Sequence, residues 1–346
     1  MNFKKYTSID NCNRQKTVDE ILIRDIDKKD WVVSEKIHGS NFSFWLNEEG
    51  LRCAKRSSFL ATGERFFGWE RVVELYSQHL ALLYKICTEM IANMEEDGYI
   101  EVNDNIEIVL YGELFGGSYP HPDVPRDPDA VTVQKGVSYC PWNDFYAFDL
   151  QINGAIISYD IFSEIMKMVG FHYAEALYRG TFEQCLKYPN DNPSTLPSKF
   201  GLPIIEGNIS EGVVLKPATP AFFGNGSRVI LKNKNEKFKE KEHKSKEPKV
   251  IVPLTDEQSA MLSLACEYIT ENRLHNVISR FGEVTQKDFG KLFGKFTQDI
   301  LEDIEKDHSS YGEMEKDSAK IVNKAFNKNA QAFIKEHFVN IIDGVF

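Results

Sequence analysis

Residues 35–41 read Glu35-Lys-Ile-His-Gly-Ser-Asn41, EKIHGSN in one-letter code. This spacing predicts a strand running into a glycine turn that presents the lysine, so Lys36 is the candidate nucleophile of a phosphate-handling site. An ordinary lysine amine, with a pKa of roughly 10.4, is protonated at neutral pH, and nucleophilic use requires neighbours that disfavour its charge. RVILKNKNEKF supplies them, because Lys232 and Lys234 stand two apart and an extended strand puts both ammonium groups on one face. Two like charges side by side need an anion between them. Taken alone, the motif is equally compatible with a structural turn in which His38 is packed or hydrogen-bonded.

The blocks between these two ends extend the pattern. LRCAKRSS ends a short apolar run in Lys55 and Arg56, and arginine suits bidentate phosphate recognition. EIVLYGELFGG reads as a buried strand (Ile108, Val109, Leu110) delivering Glu113 beside Gly112 and releasing into paired glycines. The partner of that carboxylate is open at this point: a metal, a ribose hydroxyl or a structural arginine. NDFYAFDLQING alternates as a strand and turns at Asn153-Gly154, which predicts a β-hairpin. Phe148 within it offers either an aromatic face for a purine base or a core side chain. ISEGVVLKP opens a second buried run (Val213, Val214, Leu215) with Glu211-Gly212 and ends it in Lys216 and Pro217.

In this order, EKIHGSN, AKRS, YGELFGG, FYAFDL, SEGVVLKP and LKNK resemble the motif series of the covalent nucleotidyltransferases. They are most similar to the RNA ligase 2 family, which includes phage-type double-strand RNA ligases and trypanosome RNA-editing ligases. His38 before the motif glycine, together with Asn41, separates this pattern from DNA ligases and mRNA capping enzymes. The resemblance implies a lysyl-AMP intermediate on Lys36, an RNA-adenylate, and the joining of RNA 3'-OH and 5'-phosphate ends, at nicks in duplex RNA, with ATP and Mg2+ or Mn2+ as cofactors. It implies a nucleotide site formed by Glu35, Lys36, His38, Asn41, Arg56, Glu113, Phe148, Glu211, Val214, Lys232 and Lys234. Within it Arg56 touches phosphate, Glu113 the ribose, Phe148 and Val214 the two adenine faces, and Glu211 the metal, while Lys232 and Lys234 act with Lys36 in catalysis. Lys55 and Lys216 are weaker transfers, toward RNA.

Composition bounds this reading. At 346 residues the chain is long enough for about two domains. The net charge of −11 is unusual for a nucleic-acid enzyme; residues 251–346 carry 11 Lys and Arg against 16 Asp and Glu, so RNA contact must rest on local patches. Arg273 to Lys295 is such a patch, and Arg273, Arg280, Lys287 and Lys291 are its candidate RNA contacts. Six cysteines without a C-x-x-C pair point to a reduced protein without structural zinc. MNFKKYTSIDN has no apolar core of a signal peptide and no stretch approaches 18 apolar residues, so the expected setting is the cytoplasm or nucleocytoplasm, off the membrane, as a monomer.

The expected fold class is α+β. Strands dominate residues 28–60, 106–160 and 203–235, with a helix from about Glu70 to Asn93. By the resemblance, residues 1–240 form a nucleotidyltransferase (ATP-grasp-like) catalytic domain of antiparallel sheets with flanking helices. Residues 241–252 form a charged linker, and 253–346 a small all-α domain for RNA-end recognition. A helix capped by Thr255 or Asp256 opens that tail, and helices near Gln298–Lys306 and Asp317–Val339 continue it. DNA ligases and capping enzymes place an OB fold here, which would alternate as short strands.

Overall fold

The computed structural model describes residues 1–96, 105–238 and 254–346, so the charged segment 241–252 lies outside the described residues. The chain separates into two compact units, Met1–Asn235 and Glu236–Phe346. Strands in the first unit are β1 (Asp10–Asn11), β2 (Trp31–Glu35), β3 (Ser40–Asn47), β4 (Gly50–Lys55), β5 (Ser58–Phe59), β6 (Ile108–Gly116), β7 (Asn143–Ile152), β8 (Ala155–Ile156), β9 (Ala176–Gly180), β10 (Gly212–Pro217) and β11 (Leu231–Lys234). Its helices are α1 (Gln15–Ile23), α2 (Trp69–Leu75), α3 (Ser77–Glu96), α4 (Tyr159–Val169), α5 (Phe182–Leu186) and α6 (Leu196–Lys199).

Two sheets result, one ordered β1-β11-β10-β2-β9 and the other β5-β4-β3-β6-β7-β8. All pairings are antiparallel except the short β1, which runs parallel to β11. Alternation along each strand sorts the faces. Trp31, Val33, Val213, Leu215 and Leu231 pack outward against Ile21 of α1 and Phe182 of α5. Phe42, Phe44, Leu110, Phe145 and Leu150 of the larger sheet pack against Leu80 and Leu83 of α3 and Phe162 and Ile165 of α4. Each such side chain contributes about 2–3 kcal/mol by leaving water. What remains on β10 and β11 opposite these apolar residues is Val214, Lys216, Lys232 and Lys234.

The hairpin between β7 and β8 turns at Asn153 (φ 48°) and Gly154 (φ 83°), the left-handed pair that a type I′ turn requires. The helix expected over Glu70–Asn93 is instead two, interrupted at Tyr76. A tertiary contact accounts for the break: the Tyr76 hydroxyl donates to Asp144 Oδ1 at 2.6 Å, and its ring stacks on Phe171 at 4.6 Å.

The second unit contains α7 (Asp256–Cys266), α8 (Glu271–Phe281), α9 (Phe289–Asp307), α10 (Ser309–Gly312) and α11 (Lys316–Ile342). Thr255 caps α7 through a capping box, its Oγ1 accepting the Gln258 N–H at 3.2 Å while Gln258 Oε1 accepts the Thr255 N–H at 3.1 Å. Leu262, Leu274, Phe296, Ile300, Val322, Phe326 and Ile334 form its core. Among the described residues no helix is long and apolar enough to cross a membrane.

Candidate active site

Lys36 leaves the end of β2 with its N–H donated to Gly212 O at 2.9 Å, so the start of β10 is fastened to the backbone of the candidate nucleophile. Glu211, the residue before that glycine, becomes the centre of the site. Its Oε2 lies 2.6 Å from Lys36 Nζ and 3.3 Å from His38 Nδ1, and its Oε1 lies 2.8 Å from Lys234 Nζ. Of the lysine pair Lys232 and Lys234, it is Lys234 that meets this carboxylate. Burial pushes the Glu211 carboxyl up, but Lys234, Lys36 and His38 outweigh it and hold the group well below the usual carboxylate range. Exposure grades across the cluster: the Glu211 side chain is 2% exposed and Lys36 16%, so Lys36 has the more open position.

Two glycines make the approach possible. A Cβ on Gly39 would lie 2.2 Å from Leu114 O, and one on Gly212, at φ 142°, 2.1 Å from Asn233 O. The motif spacing thus reflects backbone packing as well as chemistry.

The other expected residues fall on both sheets. Asn41 on β3 pairs in register with Glu113 on β6, and Val214 on β10 with Lys232 on β11. Phe148 is half-buried on β7 with its ring 5.0 Å from Tyr6. Arg56 closes the turn after β4, its Nη1 3.5 Å from Thr7 O, and Lys55 pairs with Glu64 at 2.6 Å.

Several expectations need correction. Lys216 is 3% exposed, donating to Phe148 O at 2.7 Å and to Asp149 Oδ1 at 2.8 Å, so its ammonium is an internal tie between the two sheets and does not meet RNA. Asp149 is shared with Arg228, whose Nη2 is 3.0 Å from Oδ1, and with the Tyr6 hydroxyl. Arg273 is 2% exposed and holds Asp299 at 2.6 Å and Asp303 at 3.1 Å; it braces α8 against α9 and is unavailable as an RNA contact. Arg280 is half-exposed and also pairs with Asp299, at 2.6 Å, whereas Lys287 and Lys291 are exposed. Glu35 is buried, its carboxylate accepting from Thr195 N–H (2.8 Å) and Thr195 Oγ1 (2.6 Å), which gives it a bracing contact.

Two connecting segments, the second interrupted only by the short α6, hold this machinery without having carried a sequence signal. From residues 117–142, the Tyr139 hydroxyl accepts the His38 N–H at 2.7 Å, and Tyr139 is buried within the field of Glu35, Glu211 and Glu113. From residues 189–210, Thr195 holds Glu35, and Asn190 Nδ2 donates to Lys234 O at 2.9 Å. The segments are clasped to each other, Ser138 N–H donating to Asn208 Oδ1 at 2.8 Å and Asn208 Nδ2 to Ser138 O at 2.7 Å. The residues flanking Lys36 on both sides are thus fixed by one collar. Periodicity could not reveal it, since each contact is a single polar pair between loops.

Among the described residues no three His, Cys, Asp or Glu side chains gather as an all-protein metal cage. Glu211 alone, with phosphate oxygens, matches the way magnesium is held by one or two carboxylates and its substrate. Chemically, the cluster offers an amine beside one buried carboxylate and a second ammonium group, an arrangement for placing negative phosphate charge next to a nucleophile.

Comparison with known proteins gives a concordant picture. A family model described as RNA ligase matches residues 29–234, and one described as T4 RNA ligase 2 C-terminal matches residues 252–332. RNA-editing ligase 1, mitochondrial, of Trypanosoma brucei brucei is 28% identical over 346 residues, covering 82% of this chain and 71% of its own length. RNA-editing ligase 2, mitochondrial, of the same organism is 27% identical over 362 residues, covering 88% and 83%. Among solved structures, a mutant Naegleria gruberi RNA ligase with ATP and Mn aligns with a TM-score of 0.40 at 15% identity over 68% of this chain; the chain spans 57% of that one.

Proposed function

The chain belongs to the RNA ligase family, and from that membership we propose that it joins RNA 3'-OH and 5'-phosphate ends with ATP, acting at nicks in duplex RNA. The observation that carries this reading is the convergence of Lys36, His38 and Lys234 on Glu211. Lys36 attacks the α-phosphate of ATP; a P–N bond forms, the bond to the bridging oxygen breaks, and pyrophosphate leaves. The RNA 5'-phosphate then takes the AMP, releasing the amine and forming an RNA-adenylate. Finally the 3'-hydroxyl attacks that activated phosphate, and AMP departs as the phosphodiester forms.

The protein's part is positioning and charge. In the ligand-free arrangement Glu211 is the counter-ion of the Lys36 ammonium, at 2.6 Å. A magnesium or manganese ion beside Glu211 would neutralise phosphate charge and compete with Lys36 for the carboxylate. The Lys234 ammonium on the other oxygen of Glu211 places a second cation beside the attacking amine. Lys232 and Lys234 then meet the negative charge on the α-phosphate, Arg56 another phosphate, Glu113 the ribose, and Phe148 with Val214 the adenine.

The helical tail recognises the RNA ends, and the protein works as a monomer in the cytoplasm. The test is sealing of nicked duplex RNA against circularisation of single-stranded RNA, with ATP and magnesium. Faster sealing of the nick is expected. Binding of RNA ends without sealing of either substrate would make the chain a non-catalytic end-binding protein and overturn the proposal.

A further inference from the structure

Helix α11 carries a ladder of lysines. Lys316, Lys320, Lys324 and Lys328 follow one another at four-residue intervals, and Lys335 returns to the same side seven residues later. All five are exposed. Four residues of α-helix advance about 6 Å, so the ladder presents an ammonium group at about that interval and spans about 28 Å in all. On the opposite side Val322, Phe326, Ala330 and Ile334 are fully buried in the unit's core, which fixes the lysine face toward solvent.

Charge is segregated onto this helix. It holds two carboxylates, Asp317, which pairs with Lys320 at 3.1 Å, and Glu336. Residues 251–346 outside the helix hold six Lys and Arg against 14 Asp and Glu. In the acidic remainder several cations are already paired with carboxylates: Arg273 and Arg280 with Asp299, Lys291 with Asp288 and Lys306 with Asp303. On α11 no described carboxylate lies within ion-pair distance of Lys316, Lys324, Lys328 or Lys335.

We propose that the lysine face of α11 is the surface by which the helical tail holds the RNA phosphate backbone. Exposed lysines are compact point charges, suited to phosphate contacts that position a nucleic acid without reading its sequence. A row of them displaces several condensed counterions at once, which gives a net-acidic protein a salt-dependent grip on RNA. This rests on the proposed ligase reading and replaces the Arg273–Lys295 stretch as the tail's principal RNA contact.

The test is the triple variant Lys320→Gln/Lys324→Gln/Lys328→Gln in the full chain. Its substitutions are exposed and leave the core untouched, so transfer of AMP from ATP to the protein should stay within about twofold of wild type. Binding of nicked duplex RNA should weaken at least tenfold at low salt. The plot of log affinity against log salt should flatten by about two to three, from about 0.9 per lost phosphate contact for B-form duplex. Unchanged RNA affinity and slope in the variant would overturn the proposal and leave the ladder to an acidic protein partner. A wild type that forms the AMP adduct while the variant binds RNA normally sinks this inference alone; a wild type that neither forms the adduct nor binds RNA sinks the ligase reading with it.

Discussion

Glu211 and Asp149 are both buried carboxylates held between two cations, yet they are built for opposite ends. Asp149 is gripped by Arg228, with Lys216 and the Tyr6 hydroxyl completing its shell, and every member is enclosed. Glu211 is held by lysines and a histidine, and one of those lysines retains an opening. An arginine is permanently charged and fixes geometry, whereas a lysine can lose its proton when its surroundings change. The arginine cluster ties the two sheets together, and the lysine cluster is free to do chemistry.

Exchanging each carboxylate for its amide sharpens this contrast most. Asp149→Asn should leave two buried cations uncompensated and cost about 3–5 kcal/mol of unfolding free energy, read from denaturant midpoints. Glu211→Gln should slow formation of the AMP adduct by about 100-fold, on the scale of removing one electrostatic element from an active site. The comparison breaks if Asp149→Asn melts like wild type while Glu211→Gln unfolds. Acid should show the same order. Burial raises the Asp149 carboxyl, but Arg228 and Lys216 outweigh it and hold the folded group below its unfolded value. Its contribution is therefore present above about pH 4 and lost as pH falls through the lower folded value, a limb that Asp149→Asn should flatten.

The collar yields a smaller effect. Thr195→Val deletes one of the two bonds to Glu35, and Tyr139→Phe leaves the buried His38 N–H without its acceptor, a loss of about 1–3 kcal/mol. Each should slow single-turnover adduct formation by about tenfold with little change in apparent KM for ATP, and Thr195→Ser should restore the rate. Equal rates in all three variants would reduce the collar to loop packing.

What could be read from the chain follows the range of the forces involved. The meeting of Lys36, Lys234 and Glu211 was legible because residue type and strand period together place them, and the β7–β8 hairpin because Asn153-Gly154 dictates its turn. The break at Tyr76 was not, since it depends on Asp144, 68 positions away. Lys216 and Arg273 were misread for a related reason: a buried cation and a surface cation look alike until the carboxylate 67 or 26 positions away is seen beside them. Tyr139 sits in a loop and Thr195 at the start of the one-turn α6, where no period betrays them.

Everything proposed for this site depends on covalent attachment of AMP to Lys36. Incubating the protein with ATP and magnesium, then mapping the modified peptide by mass spectrometry, tests it directly. One AMP is expected on Lys36, absent from Lys36→Ala and released by pyrophosphate; an adduct on another residue, or none on the wild-type protein, would rule Lys36 out as the nucleophile.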